Sequence, residues 1–262
     1  WDDRGLILIT DADKKLDAVA DSRVVDGMLS LLRHGRLDTR YNQSPRLTQS
    51  VVDDAIDTPL IKFTDSRNSS NVGWGNLEQK ASKAMYFLTL AEYLGVDTAS
   101  SKTGKTGTER VLEQIRALLS GGNEPFCCSG PYLAHSEVSS ALLLAKHTPA
   151  IWDALTPAEI EKIDWLMRAL AITGNWSYND ENDYKTGFDL TGNFAKGWNP
   201  NYKNTYLSVL GNACLYFGGA DALNEIFASF DYDVFMKKFK ELGFTNILAS
   251  WSIAGKDLME KG

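Results

Sequence analysis

Between Asn175 and Tyr206 the chain interleaves aromatic rings, asparagine amides and lysines. The run opens as Asn175-Trp176-Ser177-Tyr178. It resumes as Gly192-Asn193-Phe194-Ala195-Lys196-Gly197-Trp198-Asn199-Pro200-Asn201-Tyr202-Lys203-Asn204-Thr205-Tyr206. This mixture suits sugars. Trp and Tyr faces cover the C–H faces of a pyranose, and Asn and Lys hydrogen-bond hydroxyls and carboxylates. The run leads into an apolar helix, whose N-terminus adds favourable potential for an anion. Trp74, Trp176 and Trp198 are the expected sugar platforms. The competing reading is an ordered loop whose aromatics plug a gap in the core. Of the three histidines, His135 stands out because it lies at a helix start beside Tyr132 and Glu137. His34 and His147 read as residues at helix C-termini, where a proton is favoured by the dipole.

Other motifs compete less well. Asp53-Asp54-Ala55-Ile56-Asp57 matches the DDxxD magnesium motif of terpene cyclases in form. The second magnesium triad is missing and Pro59 follows at once, so solvated acidic surface is the expectation. The Gly-Lys-Thr of Thr98 to Thr108 lacks the strand and glycine spacing of a phosphate-binding loop and reads as a flexible, exposed loop. No G-x-S-x-G occurs. Sequons stand at Asn42, Asn68 and Asn175. No Cys/His spacing suggests zinc, and the three cysteines (Cys127, Cys128, Cys214) read as core thiols rather than a disulfide framework.

The elements that must position these residues are helical. Asn76 onward opens a run through Ala84, Met85, Leu88 and Ala91 at three- and four-residue spacing, with Gly95 as its stop. Further helices are expected over Thr108–Leu119, Ala134–Lys146, Asn201–Phe217, Ala220–Phe230, Asp233–Leu242, Asn246–Ala254 and Asp13–Arg33. Thr156-Pro157-Ala158-Glu159 combines an N-cap, an N1 proline and a capping-box glutamate, and starts a helix expected to end at Gly174. Strand signals are poor. Asp38–Asn76 and Asn175–Pro200 read as long polar loops, where function concentrates on a helical scaffold.

Composition narrows the partners. The 262 residues carry 27 Lys+Arg against 34 Asp+Glu, a net charge of −7, which argues against nucleic acid. No apolar run approaches the roughly 20 residues that cross a bilayer. At 44% hydrophobic, the chain has ample material for a core.

Three segments carry a family resemblance: Gly73–Gly95 (GWGNLEQKASKAMYFLTLAEYLG), Pro131–Pro149 (PYLAHSEVSSALLLAKHTP) and Gly197–Gly219 (GWNPNYKNTYLSVLGNACLYFGG). In style and order they resemble helices of α/α-toroid polysaccharide lyases, the alginate-lyase-like group in particular. The resemblance implies an all-α fold of helical hairpins forming a complete or partial α/α toroid over residues 1–262. It implies cleavage of a uronic-acid polymer, of alginate or glucuronan type, by β-elimination. That chemistry neutralises the C6 carboxylate, removes the C5 proton and protonates the departing O4.

For the carboxylate the resemblance implies Asn, Arg or protonated His, and the Asn candidates are Asn193, Asn199 and Asn201, the first two preferred. For base and acid it implies Tyr or His, and the candidates are His135, Tyr202, Tyr206, Tyr132 and Tyr178, with His135 and Tyr202 preferred. An acidic protein on an acidic polymer needs a local basic patch. Arg67, Lys196 and Lys203 are the candidates, with Tyr206 alongside. No organic cofactor is implied, and no metal motif is present. The alternatives are a glycoside hydrolase using Glu137 or Asp189, and a non-catalytic glycan-binding protein. Trp1 in place of Met fits a removed signal peptide, hence a secreted or periplasmic protein, or a piece of a longer chain. About nine helices are expected, fewer than such rings use to close, which favours the piece.

Overall fold

The computed structural model describes residues 49–61, 63–64, 76–77, 79–96, 98, 102–120, 132–179 and 200–244. The described chain is all-α: α1 (Gln49–Ile56), α2 (Gln79–Leu94), α3 (Gly107–Ser120), α4 (Tyr132–Lys146), α5 (Pro149–Trp152), α6 (Pro157–Asn179), α7 (Pro200–Phe217), α8 (Ala220–Ala228) and α9 (Tyr232–Glu241). One two-residue antiparallel ladder accompanies them, β1 (Phe63–Thr64) on β2 (Asn76–Leu77), with Phe63 opposite Leu77.

The most extensive helix pairs are α2 with α4, α4 with α7 and α6 with α7. α3 flanks α2, and α6 flanks α7, so two layers of helices share one core. This explains two unlike sequence patterns. α3 is amphipathic, with Val111, Leu112, Ile115 and Leu118 inward and Arg116 exposed. α2 packs on α1, α3 and α4 and is buried on most sides: Ala81, Ala84, Met85, Phe87, Leu88, Leu90 and Ala91 are covered, and so are the small polar Ser82 and Thr89. Burying a side chain such as Met85 or Leu88 stabilises the fold by roughly 1.5–3 kcal/mol.

The helix boundaries follow from capping chemistry. Before α6, Thr156 and Glu159 form the expected capping box. Glu159 Oε2 accepts from Thr156 N at 2.8 Å and Oγ1 at 3.0 Å, and Glu159 N donates to Thr156 Oγ1 at 3.2 Å. The same box precedes α3, with Thr106 and Glu109 in the two roles. Gly95 ends α2 at φ +63°, and Val96 N reaches back to Ala91 O at 2.9 Å. On α9, Phe235 stacks on Phe239 at 4.8 Å and both rings meet Trp165 of α6.

Several expectations need correction. The stretch read as a polar loop over 38–76 contains α1. Its buried apolar set is only Val52, Ala55 and Ile56, with Val51 part-buried beside them, and tertiary bonds hold its exit. Arg110 donates from Nε to Ile56 O and from Nη2 to Thr58 O, and Gln114 bonds Ile61 N and Pro59 O. Asn76 and Leu77 pair as a strand rather than opening α2. Gly174 does not stop α6, which continues to Asn179 and carries Asn175, Trp176 and Tyr178 on helix. A mid-helix glycine costs about 1 kcal/mol, which a 23-residue packed helix absorbs.

The described residues of the Thr98–Thr108 connection are tied to α1 and α2. Glu92 accepts from Thr98 Oγ1 at 2.9 Å and from Thr108 Oγ1 at 2.5 Å, and Lys102 N donates to Asp57 Oδ1 at 3.0 Å. The helices expected over 13–33 and 246–254, with His34, Cys127, Cys128, Asn42 and Asn68, lie outside the described residues.

Candidate functional site

A polar ladder joins α4 to α7. Ser136 Oγ bonds Ser208 Oγ at 2.9 Å, Asn212 Nδ2 donates to Ser139 and Ser140 Oγ at 2.9 Å each, and Lys146 Nζ donates to Tyr216 O at 2.8 Å. The partners advance together along both helices, so α4 and α7 run parallel. Their first turns therefore sit at one end of the layer. The register places the backbone of Tyr202, Lys203 and Tyr206, in the first two turns of α7, near the start of α4. A helix start leaves amides without intrahelical partners, and two parallel starts side by side add their potentials in favour of an anion.

His135 lies in the first turn of α4 and is buried. Burial pushes its imidazole down to about 4, so it is neutral at neutral pH. It is therefore placed as a proton acceptor or a hydrogen-bonding group, not as a cation for a carboxylate.

Two residues on, Glu137 is part-buried. Its Oε2 is shielded from solvent and has no hydrogen-bond partner among the described residues. Burial pushes the carboxyl up to about 7, against the opposing pull of the Lys83 ammonium on α2. Tyr86, one helical turn beyond Lys83, is held above its ordinary value by burial and by Glu137. Lys83, Tyr86 and Glu137 thus share one seam between α2 and α4. Lys83 and Tyr86 escaped sequence reading. Their one signal was an i, i+3 spacing, which puts the two side chains on one helix face.

Over most of its length the chain is similar to a gellan lyase. That protein is from Bacillus sp. and is 34% identical over 214 residues, which take in 79% of this chain. The chain spans 9% of the relative's length. No family model and no solved structure matches.

Of the residues expected at the site, the structure brings His135 and the backbone of Tyr202, Lys203 and Tyr206 to neighbouring helix starts. Trp176 lies on α6, in its last turn. The side chains of Trp176, Tyr202, Lys203 and Tyr206 are outside the described set, and so are Arg67, Trp74, Asn193, Lys196, Trp198, Asn199 and Asp189 altogether. His147 is exposed in the turn after α4, as expected of a helix-end histidine. Asp53 and Asp54 are exposed on α1, and Asp57 is engaged by Lys102. Among the described residues no group of three His, Cys, Asp or Glu side chains is arranged to hold a metal.

Proposed function

We propose that this chain is part of a polysaccharide lyase that cleaves a uronic-acid polymer by β-elimination. The observation that carries the reading is the 34% identity to a gellan lyase across 79% of the chain. The helical layers agree with it. Helices packed side by side in two layers, with α4 parallel to α7, are the arrangement an inner layer of an α/α toroid has.

The reaction then runs as a proton relay. A base removes the C5 proton, the electron pair forms the C4=C5 bond, and O4 departs with a proton from an acid. Asn193 and Asn199 withdraw charge from the C6 carboxylate. His135, held neutral, accepts the C5 proton, and Tyr202 protonates O4. Arg67, Lys196 and Lys203 offset the acidity of the protein, and Trp74, Trp176, Trp198 and Tyr206 carry the sugar rings. The protein acts outside the cytoplasm, where such polymers occur.

The test is ultraviolet absorbance of the new double bond, with polymannuronate, polyguluronate, polyglucuronate and gellan as substrates. Absorbance on at least one polymer is expected. Full activity in both His135→Ala and Tyr202→Phe refutes the site assignment. One observation favours a second reading, glycoside hydrolysis. A Glu137 carboxyl pushed up to about 7 is suited to protonating a leaving oxygen. New reducing ends without absorbance would select it.

A further inference from the structure

The polar contacts that join α4 to α7 differ in what they fix. Ser136 Oγ and Ser208 Oγ meet in an exposed position, where water replaces either partner at little cost. Lys146 reaches the Tyr216 carbonyl on a flexible four-carbon stem, and a carbonyl recurs at every residue, so that contact tolerates a shift. Asn212 is different. Among the described side chains of α7 it is the buried polar one, beside the buried Val209, Ala213 and Tyr216. Its short amide donates to Ser139 Oγ and Ser140 Oγ at 2.9 Å each. Ser139 gives its own proton to Ser136 O at 3.0 Å, which leaves its oxygen to accept from Asn212. A slide of one turn toward the end of α4 would set Asn212 against Leu143 and Leu144, whose side chains accept nothing. A buried polar contact of this kind is a known way to fix the register of two helices.

Resting on the lyase reading above, we propose that Asn212 is a positioning residue for that reaction: it sets the register of α7 along α4 and so holds the first turns of α7 beside His135. His135 stands one turn before Ser139 on α4. Ser208 is level with Ser136, so the backbone of Tyr206, two residues earlier on α7, is level with Ala134. The backbone of Tyr202 follows one turn further out. A slide of one turn would carry α7 about 5.4 Å along α4. Proton transfer works only within hydrogen-bond reach, and a misplacement of about 1 Å can cost about a hundredfold in rate. Asn212 takes no part in the proton transfers. It acts through the helix starts that carry the groups assigned to them.

The test reads register and rate separately. In the 262-residue chain, Ser136→Cys with Ser208→Cys puts thiols in place of a bonded hydroxyl pair, within reach of a disulfide. Closure in a glutathione redox buffer is followed by peptide mapping, which tells this bridge from any formed by Cys127, Cys128 or Cys214. Adding Asn212→Leu should slow closure about tenfold or more, because a disulfide demands near-contact. Asn212→Asp keeps the shape and a polar partner for both serine hydroxyls, and should restore it. With Ser136 and Ser208 intact, Asn212→Leu should lower kcat per folded molecule by about tenfold to a hundredfold, with KM within about twofold of wild type. Asn212→Asp should recover most of that kcat. If Asn212→Leu lacks wild-type circular dichroism, Ser139→Ala with Ser140→Ala removes the same bonds from α4 and carries the same expectations. Closure that is equally fast with and without Asn212→Leu overturns the inference. So does a change confined to KM, or a fall in kcat that Asn212→Asp does not recover. The two readings fail separately. Elimination product at wild-type kcat from a chain with slowed closure sinks the positioning role and leaves the lyase. Closure that depends on Asn212 in a chain that yields no ultraviolet product sinks the lyase and leaves Asn212 as the register determinant.

Discussion

Replacing Glu137 by Gln should stabilise the protein in alkaline solution and leave it almost unchanged in acid. The carboxyl titrates at an ordinary 4.5 in the unfolded chain and at about 7 in the folded one. The folded state thus holds this proton more tightly. Its stabilising contribution is complete below about pH 4.5, and it is lost as pH rises through about 7. At about 1.4 kcal/mol per pH unit the difference amounts to about 3 kcal/mol. Part-exposure of the side chain and the attraction of Lys83 trim the usable share to about 2 kcal/mol. Gln keeps the shape and cannot ionise. Urea unfolding followed by circular dichroism, at about pH 5 and about pH 9, reads the difference between variant and wild type. That difference should grow by about 2 kcal/mol toward the higher pH, whatever other groups contribute to both proteins. A difference that stays flat would refute the reasoning, because it would mean that the Glu137 carboxyl is well solvated.

Three further outcomes follow from local geometry. His135 titrates at 6.5 when unfolded and about 4 when folded, so its contribution is present above about pH 6.5 and lost as pH falls toward 4. His135→Gln should flatten the acid limb of the stability profile between those values, by up to about 3 kcal/mol, in the same urea assay. At Gly107 an added Cβ would lie 2.1 Å from Glu92 Oε1 and 2.4 Å from Thr98 Oγ1. Gly107→Ala should therefore cost about 1–3 kcal/mol in thermal unfolding, whereas Gly211→Ala, with open space around it, should not destabilise. Thr156→Ala removes the hydroxyl that both gives to and takes from Glu159, and should lower stability by about 1 kcal/mol in denaturant titration.

Helices were legible wherever the stop and start chemistry is local. Gly95, Gly218 and Gly243 each end a helix with positive φ, and the Thr156–Glu159 box starts one, because a cap involves only a few consecutive residues. The misses share a different cause. α1 is short, with three fully buried residues, and its exit is anchored by Arg110 and Gln114, more than 50 positions along the chain. α6 runs past Gly174 because packing on α4 and α7 outweighs one glycine.

The site divides in the same way. His135 and Glu137 were noticed as residue types at a helix start, and the sequence alone establishes that an acidic, helix-rich chain carries them there. It does not establish their protonation, since desolvation depends on which helix lies over a carboxyl or an imidazole. Only the packing of α2 on α4 brings Lys83 and Tyr86 to Glu137 and pushes its proton affinity up while His135, two residues away, moves down. Only the tertiary packing sets α4 and α7 parallel with their starts side by side, a register that the Ser136–Ser208 and Asn212–Ser139 bonds record. Periodicity and capping are properties of neighbours along the chain. Charge state and helix direction are properties of neighbours in space.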